Sequence, residues 1–127
     1  MTQNAAIRSG GAPAAIGPYS QAVRAGEFLF VSGQIPADPD SGSIVEGGVA
    51  AQTERSLKNL GAILAAAGLG FEHVVKTTVF LTDLGRFSEM NDMYARFFPQ
   101  APPARATVQV IALPKGALVE IEAVARG

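Results

Sequence analysis

Apolar residues recur along this chain at two periods. Between residues 49 and 67, Ala50, Thr53, Leu57, Leu60, Leu64 and Ala67 keep the three-and-four spacing of one buried helical stripe. Gln52, Glu54, Arg55 and Lys58 occupy the other faces, and Gly68 stands where a left-handed C-terminal cap belongs. A second helix is predicted over about residues 85–98. Asp83 is placed to cap it, Phe87, Met90, Tyr94 and Phe97 form its stripe, and Pro99 ends it. Elsewhere the period is two. Residues 19–25 and 27–32 read as strands around a turn at Ala25-Gly26. In the second of these, Phe28, Phe30 and Ser32 share one face and Leu29 and Val31 the other, the pattern of a strand covered on both sides. Residues 73–82 form a further strand with Val75, Thr77, Val79 and Leu81 on one face. Residues 36–48 read as a loop with a short strand at Ile44-Val45.

Residues 103–122 read as two strands joined by the turn Leu113-Pro114-Lys115-Gly116. In the first, Val108 and Val110 alternate with Thr107 and Gln109 at the period of a strand with one buried face. In the second, Val119, Ile121 and Ala123 point one way and Leu118, Glu120 and Glu122 the other. If the two strands share a sheet face, Arg105 and the two carboxylates flank one cleft. The order β-β-(β)-α-β-α-β-β contains no repeat or linker. It predicts one α+β domain over residues 1–127, a mixed sheet of about six strands with two helices packed on one face. Residues 1–15, rich in Gly, Ala and polar side chains, are expected to be partly loose. Aliphatic side chains on the uncovered sheet face would need burial by association.

Composition narrows the function. Only 17% of residues are charged against 48% hydrophobic, a lean complement for a small domain and a hint that a partner subunit covers some surface. The net charge is −1 without any Lys/Arg run, which argues against nucleic acid as a partner. Without cysteine there is no disulfide, thiolate metal site or Cys nucleophile. The single histidine, His73, argues against a His-based zinc site or a Ser/His/Asp triad. No apolar run reaches the ~18 residues of a membrane span. Residues 1–11 lack the regions of a signal peptide, so a soluble, cytoplasmic protein is expected.

The chemistry concentrates near the C-terminus. A guanidinium holds a carboxylate through two parallel hydrogen bonds, which makes Arg105 a candidate anion anchor. From spacing alone, a pairing of Arg105 with Glu120 or Glu122 across the sheet is the simpler reading. The context shifts the balance. Pro103-Ala104-Arg105 followed by Val119-Glu120-Ile121 resembles the signature of the reactive-intermediate (imine) deaminase family, RidA or YjgF. Ala12-Pro13-Ala14-Ala15-Ile16-Gly17-Pro18-Tyr19-Ser20-Gln21, Val31-Ser32-Gly33-Gln34-Ile35-Pro36 and Val74-Val75-Lys76-Thr77-Thr78-Val79-Phe80-Leu81 agree with it in order, so the resemblance runs from about Ala12 to Arg126.

The resemblance implies a chorismate-mutase-like fold, three copies of which form a trimeric barrel with clefts between subunits. It implies hydrolysis of 2-imino acids or enamines, such as 2-iminobutanoate or 2-iminopropanoate, to 2-keto acids and ammonia. Such imines are released by pyridoxal-phosphate-dependent enzymes. The imine carbon is already electrophilic, so neither metal nor organic cofactor is implied. Arg105 would anchor the substrate carboxylate and Glu120 would handle the water, with Glu122 structural. Tyr19, Ser32, Gly33, Asn91 and Thr107 match the remaining cleft positions. Some relatives carry Cys where this chain has Thr107, and Ile111 is larger than the family pattern usually shows. His73 and Lys76 read as structural. A carboxylate-binding regulatory module is one alternative; an RNA-directed activity is another, weakened by the charge balance and the lone histidine.

Overall fold

A computed structural model describes residues 4–127. One six-stranded mixed sheet runs through the chain: β1 (Ala5–Ile7), β2 (Ala22–Ala25), β3 (Phe28–Gln34), β4 (Val74–Leu81), β5 (Ala104–Gln109) and β6 (Val119–Arg126). Their spatial order is β1-β2-β3-β6-β4-β5, with only β4 and β5 parallel. Two helices, α1 (Gly48–Ala66) and α2 (Phe87–Ala95), pack against one face and each other. The predicted α+β architecture is therefore the observed one.

The core lies between that face and the helices. Leu29 and Val31 of β3, Val79 and Leu81 of β4, and Val119 and Ile121 of β6 meet Leu57, Leu60, Ile63 and Leu64 of α1. Gly68 takes a φ of +77°, and the Leu69 N–H returns to the Leu64 carbonyl at 2.9 Å, closing α1 as its position suggested. Gln52, expected on the polar side, is buried instead. Its side-chain oxygen accepts the Leu118 N–H at 2.8 Å, which satisfies backbone where β6 begins.

Several expectations are corrected. The N-terminal segment is tied down from residue 5 onward: β1 pairs with β2, and the buried Gln21 amide bonds the Ser9 N–H at 2.7 Å and the Pro13 carbonyl at 2.8 Å. For residues 1–3 that expectation lies outside the described residues. In β4 the register slips between Val74 and Lys76, so Val74 is buried while Val75 is 45% exposed. A bulge inserts one residue and turns the side chain outward, which period-two counting misses. The second helix is shorter than predicted. Asp83 caps a single 3-10 turn through the Gly85 N–H at 2.8 Å, and the Arg96 and Phe97 N–H groups reach back only three residues, ending α2 before Pro99.

The most consequential correction concerns β5 and β6. They are not neighbours, because β4 lies between them. The turn around Lys115, with φ +59°, carries the chain across β4 instead of closing a hairpin. Val108, expected to be buried, is 41% exposed. It lies on the face without helices, with Phe30 at 49% and Phe28 at 40% exposed. That face is continuous through Phe30, Val124, Lys76 and Ala104 across four strands. No helix among the described residues is long and apolar enough to cross a membrane.

Candidate functional site

Arg105 is set opposite Thr77 of β4, which is itself opposite Ala123 of β6. Side chains paired across strands share a face, so Arg105 emerges on the helix side. There its guanidinium carbon lies 4.7 Å from the centre of the Tyr94 ring and 5.4 Å from that of Phe87. Arg105 also lines a groove of about 410 Å³, with Asn91, Tyr94, Phe98, Pro102 and Pro103. The four ion pairs among the described residues join Glu54 to Lys58, Glu72 to His73, Glu89 to Arg86 and Glu27 to Arg126. None involves Arg105. The cation is thus set against two aromatic rings and has no carboxylate partner among the described residues.

Thr107 follows on the same face, in register with Val79 and Ile121. Its hydroxyl is buried without a hydrogen-bond partner among the described residues. Arg105, Asn91 and Thr107 therefore form one group.

Glu120 belongs to a second group. It is paired with Phe80, and Phe80 with Val108, so it points to the opposite face from Arg105. Beside it, β3 slips register between Val31 and Gln34, which places Ser32 and Gly33 in a bulge. A Cβ on Gly33 would lie 2.8 Å from Cδ of Glu120, so only glycine leaves the carboxylate where it is. Burial pushes the Glu120 carboxyl above the ordinary glutamate range, and the charge of Glu122, two residues along the same face, adds to that. Ser32 donates its hydroxyl to the Ser20 carbonyl at 2.6 Å, which ties the bulge to the segment carrying Tyr19. Tyr19 itself is 54% exposed and lines a hollow of about 470 Å³ near β1.

The predicted residues thus fall into two sets, Asn91, Arg105 and Thr107 in one and Ser32, Gly33 and Glu120, with Tyr19 close by in the chain, in the other. Arg105 and Glu120 do not flank one cleft within a chain. Two strand spacings and three residues along β6 separate their backbones by roughly 14 Å, with the side chains on opposite faces. The cross-sheet pairing of Arg105 with Glu120 or Glu122 is excluded by the same geometry. His73 lies at the far end of β4, its Nδ1 accepting the Gly70 N–H at 3.0 Å. Lys76 is exposed on the open face.

Sequence reasoning missed the aromatic surround of Arg105. Phe87 and Tyr94 read as core stripe residues, which Tyr94 also is, at 4% exposure. Nothing in helical spacing says that a strand arginine lies against them.

The comparisons with known proteins agree with the fold. A family model described as endoribonuclease L-PSP matches residues 9–126. A Myxococcus xanthus relative called protein DfrA is 61% identical, covering 94% of this chain and 93% of the relative. The human 2-iminobutanoate/2-iminopropanoate deaminase is 54% identical over 94% of this chain and 87% of its own. Among solved structures, Escherichia coli TdcF with bound serine superposes with a TM-score of 0.93 at 44% identity, covering 97% of this chain and 98% of that one.

Proposed function

The chain belongs to the endoribonuclease L-PSP family, the YjgF/RidA proteins, and from that premise we propose that it hydrolyses small 2-imino acids or their enamine tautomers to 2-keto acids and ammonia. The observation that carries this reading is Arg105, a half-buried guanidinium held by aromatic rings with no carboxylate partner among the described residues. Such a cation fits the carboxylate that every 2-imino acid carries beside its reacting carbon. The relatives' names supply the reaction class, and the serine bound to TdcF is an α-carboxylate of similar size.

In this reaction water adds to the imine carbon. Glu120 takes one of its protons as the C–O bond forms, and the C=N electron pair moves to nitrogen, to which Glu120 delivers that proton. Glu120, again a carboxylate, then removes the hydroxyl proton of the tetrahedral intermediate and passes it to the amino nitrogen. The C–O bond becomes a carbonyl and the C–N bond breaks, releasing ammonia. A carboxyl whose proton affinity is raised by burial suits both halves, since it is a better base toward water than an ordinary glutamate and can return the proton to nitrogen. Tyr19 and Asn91 would border the substrate, and the Gly33 backbone would approach its carboxylate.

A substrate whose carboxylate is bonded directly to the reacting carbon cannot span two groups on opposite faces of one sheet. The site is therefore shared, Arg105, Asn91 and Thr107 coming from one subunit and Glu120, Gly33 and Ser32 from a neighbour, with the open face of Phe28, Phe30 and Val108 buried in a homotrimer. An endoribonuclease reading finds less support. Within one chain His73 stands seven residues along β4 from the register of Glu120, roughly 23 Å away. The test is a coupled assay. A pyridoxal-phosphate-dependent dehydratase generates the imine in situ, and 2-keto-acid release is followed with and without this protein. Release no faster than the uncatalysed rate would overturn the reading.

A further inference from the structure

We propose that Tyr94 is a positioning residue, a fixed aromatic platform that holds the Arg105 guanidinium in the one orientation that presents its N–H edge to a carboxylate. The inference rests on the reading of Arg105 as the carboxylate anchor and assigns the part of the protein that makes the anchor rigid. An arginine side chain without a hydrogen-bonded partner has many rotamers open to it, and most would not offer two parallel N–H groups to an incoming anion. Arg105 has no carboxylate within ion-pair distance among the described residues to fix it. What it has is the face of Tyr94, 4.7 Å from the guanidinium carbon, with Phe87 at 5.4 Å.

Tyr94 can serve because its ring is immobilised. It is 4% exposed and packs against Phe98 with ring centres 4.7 Å apart. Its hydroxyl shares a buried hydrogen bond of 2.7 Å with Thr77. Thr77 is the residue of β4 in register with Arg105. The rung of the sheet that carries the arginine thus also carries the anchor for its platform. Because the hydroxyl is engaged by Thr77, Tyr94 presents its π face to the cation and leaves the guanidinium donors free. The ring face carries the function and the hydroxyl anchors the ring.

The test compares Tyr94→Phe, which keeps the face, with Tyr94→Leu, which keeps much of the volume without it. For 2-oxobutanoate measured by titration calorimetry, Tyr94→Phe should bind within about threefold of wild type and Tyr94→Leu about 5- to 30-fold more weakly. In imine turnover, Tyr94→Leu should raise KM by a similar factor with kcat changed less than threefold. A merely structural role would lower kcat through loss of folded enzyme and leave KM alone. A second measurement reads the wild-type protein and does not depend on Tyr94→Leu folding. In the wild-type protein the Arg105 Nε–Hε resonance, assigned by its loss in Arg105→Lys, should be shifted upfield of the other arginines by ring current. Tyr94→Phe should keep that shift. An Arg105 resonance coincident with the exposed arginines, or equal ligand affinity in Tyr94→Leu and wild type, overturns the proposal. Neither readout requires turnover. A ring-shifted Arg105 and a face-dependent affinity in a protein that hydrolyses no imine would refute the deaminase reading and leave the platform standing.

Discussion

Gly33→Ala isolates the position of one carboxylate. The backbone at Gly33 accepts an L side chain, so the substitution acts through space alone. A Cβ there would sit 2.8 Å from Cδ, 2.9 Å from Oε2 and 3.1 Å from Cγ of Glu120. Ordinary carbon contacts begin near 3.5 Å, so the carboxylate must retreat by about 0.7 Å or turn to another rotamer. Glu120 is only partly buried and ends a flexible side chain, so the retreat should cost about 1 kcal/mol, or about 4 °C in melting temperature for a chain of this size. The effect on chemistry should be far larger, because a displacement near 1 Å at a group that must meet a water and a nitrogen costs up to about 10²-fold. Arg105 lies on the other face of its own sheet and is untouched. Gly33→Ala should therefore lower imine turnover about 10- to 100-fold, keep 2-oxobutanoate affinity within a few-fold, and remain folded. Coupled turnover, calorimetry and a thermal melt on one preparation read all three. Turnover equal to wild type would show that the place of the Glu120 carboxylate is irrelevant, and the argument from Gly33 would fail.

Arg105→Lys should lose about 2–4 kcal/mol of transition-state binding, since an ammonium cannot reproduce the two-pronged grip or lie flat on Tyr94; near-normal kcat/KM would make Arg105 structural. In pH dependence, a folded-state pKa raised above the unfolded value means that the native state binds more protons in that window, so Glu120 lowers stability as pH rises through it. Glu120→Gln should accordingly melt higher than wild type at neutral pH, with the advantage vanishing as pH falls below the ordinary glutamate range. The acid limb of wild-type turnover should lie above that range, and both are checked by melts and rates across pH. In light scattering the protein should have a mass near three times 13.1 kDa, and Phe30→Asp, on the open face, should shift it toward monomer. A wild-type monomer at micromolar concentration would sink the shared site.

Much of this was legible in the sequence, for identifiable reasons. The stripe of α1 and the alternation of Val119, Ile121 and Ala123 are repeated signals that burial imposes directly on residue type. The uncovered face could be foreseen because the two helices cover only one side of the sheet, whereas Phe28 and Phe30 opposite Leu29 and Val31 read as a strand covered on both sides and instead lie exposed on that face. What stayed hidden was two-dimensional. Period-two counting cannot tell which strand lies between two others, so it placed Arg105 and Glu120 beside one cleft when β4 separates them. Nor can it place the slips at Val74 and at Ser32-Gly33, each of which re-aims side chains by a single residue. Tyr94 was legible as core and illegible as platform, because its partner is 11 residues away on a different element.

Subunit complementation tests the account most directly. Arg105→Lys and Glu120→Gln are each expected to be nearly inactive as separate proteins. Mixed subunits, formed by co-expression or co-refolding, should regain activity at about a quarter of their sites, the chance that an intact Arg105 on one subunit meets an intact Glu120 on its neighbour. Keto-acid release from the mixture, measured against wild type and each variant alone, is the readout. Recovery near that fraction is predicted. A mixture no more active than its components would contradict a shared imine-hydrolysing site.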